Sequence, residues 1–330
     1  MRLIFSVLIL LLPALIPAWA QAACTGTDLR TTTTPQDQSW IDTRIADAPF
    51  AEGNHWIAQR GDRRIHVIGT MHLNDPRLDA ITARLEPVLA AADMLLLEIT
   101  PEDEAELQSR LGKTPELIFI TQGPSLIDRL SAEDWATLSG MAQKHGIPGW
   151  MAAKMRPWFL AMSMSVPPCL RGSKASKLGL DKRLQQQANT ANIPMLSLED
   201  PMPLLQAFNE DSLDEQLRQM QLSLSLMGQG ADEFVTLTHS YFEQTTWRYL
   251  AMVERRFYQN SAYEEDEARQ LWDETMDLML VRRNAAWIPV IEATEGNNLV
   301  VAVGTLHLPG KTGVLNLLKQ QGYSLTRAAF

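Results

Sequence analysis

The chain of 330 residues has no H-E-x-x-H segment, which excludes the zinc helix of ordinary zincin peptidases. It has only two cysteines, Cys24 and Cys169, and neither stands near a histidine in a nucleophile-like setting, so cysteine catalysis has no support. It lacks a basic excess: 39 acidic side chains outnumber 29 Lys and Arg, giving a net charge of −10. That acidity argues against nucleic acid as a partner, because a basic face is expected there. No low-complexity region or linker divides the chain, and beyond the first twenty residues no stretch is long and apolar enough to span a membrane.

What the N-terminus does contain is MRLIFSVLILLLPALIPAWA: one charge at Arg2, an apolar run, then small residues at Ala18, Ala20 and Ala22. This layout predicts a signal peptide over residues 1–22, cleaved near Ala20 or Ala22, and a periplasmic or secreted mature protein. Pro13 and Pro17 interrupt the run and weigh against a retained membrane anchor. Lipidation at Cys24 is disfavoured, because Gln21-Ala22-Ala23 lacks the usual leucine. In an oxidising compartment a single Cys24–Cys169 disulfide is the natural inference, with two unpaired thiols as the alternative.

Residues 23–330 read as a single α/β domain. His55–Ala58 and Arg64–Gly69 read as a hairpin, followed by a helix opened by Asp75-Pro76 and carried by Leu78, Ile81, Leu85, Val88 and Leu89. Met94–Ile99 is a short apolar run of the kind buried on both sheet faces. From about 103 to 285 the pattern is helical, with segments around 126–145, 151–166, 177–191, 201–227 and 231–258, and with one buried strand at Ile193–Glu199. The acidic run Glu264–Glu267 reads as a solvated face before a helix through Trp272, Met276, Met279 and Leu280. Leu299–Gly304 is a further buried strand, and Val314, Leu315, Leu317 and Leu318 mark a closing helix. Both chain ends therefore supply the sheet, and the helical middle is an insertion.

Gly69-Thr70-Met71-His72-Leu73 and Gly304-Thr305-Leu306-His307-Leu308 agree at four of five positions. Each ends an apolar strand and precedes a helix, where open α/β sheets bind ligands. His72 and His307 are therefore the leading candidates, whereas His55, His66, His145 and His239 lack that context and read as structural or exposed. Glu98 terminates the Leu95–Leu97 run, so its carboxylate must meet a cation or face a polar site. Two histidines and a carboxylate suit a divalent metal, or equally a general base with its orienting partner. Glu199 and Asp181 are second-tier candidates for which capping or ion pairing serves as well. Arg283 and Asn284, read as the end of the last helix before the final strand, suit an anion or oxyanion, as does Arg77; cations complementing a helix C-terminus are the competing account.

Together these landmarks resemble the TraB/PrgY/GumN family, which includes the Tiki proteases. The likeness rests on the two G-x-x-H motifs, Leu95–Glu98, Arg156-Pro157-Trp158, Gly179-Leu180-Asp181, Leu198-Glu199, Arg283-Asn284 and Gly322-Tyr323, in order over about residues 52–325. The resemblance implies a mixed sheet flanked by helices, related to erythromycin-esterase-like and haem-uptake ChaN-like proteins. It also implies a metal-dependent peptidase site built from His72, Glu98 and His307 with manganese or cobalt. The chain departs from the Tiki proteins in lacking a C-terminal membrane anchor, and its helical middle is its own, so substrate choice does not transfer. Three functions follow: a metal-dependent hydrolase of peptide or small-molecule substrates, with Arg283 and Asn284 stabilising the oxyanion; a metal-independent esterase-type hydrolase; or a peptide- or ligand-binding protein using Met-rich helices.

Overall fold

A computed structural model describes residues 24–170, 178–227, 230–261 and 263–330. The expected signal segment, residues 1–22, lies outside them.

Six strands form one mixed sheet: β1 (His55–Arg60), β2 (Arg63–Thr70), β3 (Met94–Leu97), β4 (Met195–Ser197), β5 (Asn298–Gly304) and β6 (Ser324–Arg327). Their order is β4-β3-β5-β2-β1-β6. The first four in that order run parallel, while β1 pairs antiparallel with β2 and with β6. The chemistry of β5 explains why it is central: Leu299, Val301 and Val303 enter one core, Val300 and Ala302 the other, and all are buried. Burying each of these Leu and Val side chains contributes about 1.5–3 kcal/mol relative to leaving it in water. A one-residue slip would exchange the two faces.

On one face β5 meets Trp287, Ile288 and Ile291 from helix Arg282–Ala293 and Leu315 and Leu318 from helix Val314–Gln320. On the other it meets Leu78, Leu85 and Leu89 from helix Leu78–Ala90 and Leu180 and Leu184 from helix Leu180–Ala191. Much of the inserted middle has a core of its own, around Leu126, Leu138, Met155, Leu160, Met164 and Leu217. The disulfide Cys24–Cys169 joins the first described residue to this inserted lobe.

Several expectations need correction. The long helices of the middle are broken: 126–145 becomes Leu126–Arg129 and Ala132–Lys144, 201–227 becomes Met202–Ala207 and Leu213–Met227, and 231–258 becomes Gly230–Phe242 and Thr246–Asn260. Ser131 caps the second helix of the first pair, and the carbonyl of Ser240 accepts the Thr245 N–H at the last break. The strand read as buried at 193–199 is a three-residue edge strand with Leu196 exposed, because no strand among the described residues pairs beyond it. The polar lead holds a helix, Pro35–Ile45, started by the Thr34 side chain on the Asp37 N–H. Arg283 and Asn284 open helix Arg282–Ala293 instead of closing one, since the apolar spacing runs on through Trp287, Ile288 and Ile291 past the exposed Pro289. Glu264–Glu267 are exposed at a helix start, where the dipole favours acidic side chains.

Candidate functional site

The four parallel strands end on the same edge of the sheet, and each is followed by one ionisable candidate residue. Glu199 follows β4, Glu98 follows β3, His307 follows β5 and His72 follows β2. Register aligns Thr70 of the first G-T-x-H motif with Gly304 of the second. The glycines make this approach possible: a Cβ on Gly69 would stand 2.9 Å from Thr305 Oγ1, and one on Gly304 3.2 Å from Glu98 Oε1. Thr305 itself donates to Asn54 Oδ1 at 2.9 Å, while the Tyr241 hydroxyl donates to the Gly69 carbonyl at 3.0 Å, so buried polar groups hold both motifs.

His307 is buried in a short turn, Thr305–His307, with its ring 4.4 Å from that of Trp287. Asn284 Nδ2 donates to the Thr312 carbonyl at 3.0 Å, which turns Oδ1 toward His307 Nδ1 at 2.6 Å. His307 therefore carries its proton on Nδ1, and Nε2 presents a lone pair to the Arg283 guanidinium at 3.3 Å and stands 3.9 Å from Glu98. Burial is the main reason its pKa falls to about 4, with Arg283 and His72 adding to the effect, so the ring is neutral near pH 7.

His72 is the open member, with 66% of its side chain accessible. Its Nδ1 lies 3.5 Å from Asp181 Oδ2, and that carboxylate, with a smaller contribution from Glu98, raises the imidazole pKa to about 9 against the charge of Arg283. Gly179 accounts for the pairing: a Cβ there would come within 2.3 Å of the His72 carbonyl carbon, and Leu180 N–H binds the Met71 carbonyl at 2.9 Å. Helix Leu180–Ala191 thus starts against the His72 backbone and places Asp181 beside the ring. The other Asp181 oxygen, Oδ1, is buried without a hydrogen-bond partner among the described residues.

Glu98 accepts the Gly304 N–H through Oε1 and Arg283 Nη2 through Oε2, both at 2.7 Å. Burial pushes its pKa up, but His307, His72, Arg283 and the Gly304 N–H outweigh this and hold it down at about 2. Arg283 also clasps Glu199 through Nε and Nη2 and donates through Nη1 to the Met279 carbonyl and His307. Its five N–H groups are all engaged in this arrangement. A π-turn at Asp277–Val281 immediately precedes the helix. An inserted residue of that kind turns the helix face by roughly 100°.

Of the expected set, Glu98, His307, Arg283 and Asn284 form one connected cluster, and His72 is close enough to couple electrostatically with Glu98 and Arg283. Asn284 is committed to His307 and Thr312. Arg77 is engaged elsewhere, paired with Asp75 at 2.8 Å and stacked on Phe242. His55 and His66 face each other across the hairpin, His55 Nε2 lying 3.0 Å from His66 Nδ1, and His239 pairs with Asp28 at 3.1 Å. Trp287 escaped the sequence reading. It donates to Glu199 at 3.1 Å and floors His307, and its only signal is its spacing of four from Arg283.

Among the described residues no three His, Cys, Asp or Glu side chains stand at coordinating distance of one point. The donor chemistry nonetheless suits a divalent ion: two imidazoles, each meeting an oxygen at Nδ1, an ionised Glu98, and an unpartnered Asp181 oxygen. An oxygen acceptor on the second ring nitrogen is the usual support of a metal-ligating histidine.

Compared with known proteins, residues 54–327 match the TraB/PrgY/gumN family. The chain is 25% identical over 276 residues to the uncharacterized protein YbaP of Escherichia coli (strain K12), covering 81% of this chain and 94% of that protein. The YbaP of Shigella flexneri matches with the same identity and coverage.

Proposed function

The chain belongs to the TraB/PrgY/gumN family, and from that premise we propose that it is a divalent-metal-dependent, peptidase-like hydrolase exported to the periplasm. One observation carries this reading: two imidazoles, His307 hydrogen-bonded at Nδ1 to Asn284 and His72 with Nδ1 3.5 Å from Asp181, flank a carboxylate held ionised at the ends of adjacent strands. His72, Glu98 and His307 would hold the ion, manganese or cobalt by family resemblance. A divalent ion, when bound there, supplies Lewis acidity toward a carbonyl and a water molecule.

The chain's own groups prepare the cleft. Asn284 keeps the proton of His307 on Nδ1, so Nε2 remains a base and a ligand. Asp181 orients His72. Arg283 donates to both Glu98 and Glu199, and its 3.3 Å contact with His307 is the longest in its set. That Nη1–H is the donor best placed to be yielded to a carbonyl oxygen developing negative charge. The disulfide supports export, since such bonds persist in oxidising compartments.

The test is metal content and peptide hydrolysis of the purified protein, alongside a variant carrying His72→Ala and His307→Ala. Stoichiometric metal and chelator-sensitive turnover, both lost in the variant, are expected; equal metal in the two proteins overturns the reading. The Arg283 contacts favour a second, metal-independent reading with His307 Nε2 as base, and turnover that survives exhaustive chelation would select it.

A further inference from the structure

One residue beyond His72, Leu73 lines a cavity of about 460 Å³. Its walls come from two places. Met141 and Met164 belong to the inserted lobe, while Phe234 and Leu237 belong to helix Gly230–Phe242. Leu73, Met141, Phe234 and Leu237 are only partly buried, so apolar surface is left open to water beside a candidate catalytic residue. The volume lies within the range of about 300–1,000 Å³ usual for ligand sites. Paired methionines make adaptable apolar walls, accepting side chains of different shape.

The gap between the walls is held by covalent chemistry. Cys169 follows Pro167 and Pro168, which line the lobe side, and is bonded to Cys24. The strap after Cys24 lies on the opposite wall: Thr27 N–H donates to Asp232 at 2.6 Å, Leu29 N–H to Thr236 at 2.9 Å, and a Cβ on Gly26 would stand 2.7 Å from the Ala231 backbone. A cleft whose two sides are cross-linked across separate cores keeps a set width.

We infer that this cleft is a specificity subsite, seating a large apolar side chain of a peptide whose scissile bond lies at His72. The inference rests on the hydrolase reading above and names its substrate class: peptides carrying an aromatic or branched aliphatic residue next to the cleaved bond. Lys144, His145 and Glu233 also line the cavity, so it is the small polar residue, too short to cover the Met141, Met164, Phe234 and Leu237 walls, that reacts slowly.

The probes are short fluorogenic peptides identical except for a central Phe, Leu, Ser or Asp, offered to the metal-loaded protein. The expected kcat/KM for Phe and Leu exceeds that for Ser by about 10–200-fold, as hydrophobic pockets discriminate. Leu237→Arg on one wall, or Met141→Lys on the other, is expected to bring that ratio close to one while leaving turnover of the Ser peptide. Calorimetric binding of backbone N-methylated, uncleavable Phe and Ser peptides to metal-free protein supplies an independent readout. Cleavage without side-chain preference overturns the subsite and leaves the hydrolase reading intact. Preferential binding of the Phe peptide, abolished by Leu237→Arg, with no cleavage of any peptide, supports the subsite and overturns the hydrolase reading. Absence of both preference and cleavage overturns the two together.

Discussion

The carboxylate of Glu98 accepts the backbone N–H of Gly304 at 2.7 Å, which ties the acid ending one buried strand to the glycine that opens the second histidine motif. Neither residue is near the other in sequence; β3 and β5 bring them together as parallel neighbours. The first consequence concerns the glycines. A Cβ on Gly304 would stand 3.2 Å from Glu98 Oε1 and 3.5 Å from His307 Cδ2, a displacement of tenths of an ångström. Gly304→Ala is expected to fold and, on the hydrolase reading proposed above, to lose metal affinity and turnover by about tenfold or more, as outer-shell changes do. Gly179→Ala meets backbone at 2.3 Å, so it is expected to lose about 1–3 kcal/mol of stability in urea unfolding. Equal stability of the two variants would contradict this account.

Asn284 sets the tautomer of His307. Asn284→Ala leaves the buried Nδ1–H and the Thr312 carbonyl without their partner, at a cost of about 1–3 kcal/mol. Asn284→Asp places a charge at the same point and is expected to raise the His307 pKa above its value of about 4. Nitrogen-15 spectra of the imidazoles read both effects. A wild-type ring protonated on Nε2 would show the orientation to be wrong.

The pKa values of His72 and Glu98 are shifted in opposite directions in metal-free protein. His72 has a pKa of about 9, above its usual 6.5, so its contribution to stability is complete below pH 6.5 and disappears as pH rises through 9. The melting-temperature gap between wild type and His72→Gln is therefore expected to narrow over that interval. Glu98, at about 2 against a usual 4.5, contributes fully above pH 4.5 and loses its contribution as pH falls toward 2. The gap to Glu98→Gln narrows on the acid side only. Gaps that stay constant across both intervals would show that these partners do not bias the two groups.

The Cys24–Cys169 bond spans 145 residues. Replacing both cysteines by serine is expected to cost about 2–5 kcal/mol, chiefly through the greater freedom of the unfolded chain. Denaturant unfolding measures the loss, and thiol labelling of the unfolded wild-type protein without reductant should find no reactive cysteine at either position. Reaction at Cys24 or Cys169 would contradict the bond.

Much of this was legible in the residues themselves. The runs at 94–97 and 299–304 announce buried strands because apolar continuity is a local property, the alternation before Gly69 announces a hairpin strand, and His72, Glu98 and His307 stand out as polar groups after these strands. The mixed sheet with strands from both ends of the chain, flanked by helices, was likewise expected. Edge strand β6 was not seen, because four residues with only Leu325 partly buried carry almost no pattern. The π-turn at Asp277–Val281 was equally invisible, since a helix of either pitch shows similar spacing over five residues.

Composition and spacing by themselves determined which residues could do chemistry and which strands would present them, because both follow from side-chain polarity and backbone period. Tertiary structure alone decided the partnerships: Asp181 with His72, Asn284 with the inner nitrogen of His307, Arg283 between Glu98 and Glu199, and Trp287 beneath them. Each joins residues from different elements, and its geometry depends on sheet register and helix phase at a scale of about 1 Å, which no local pattern encodes.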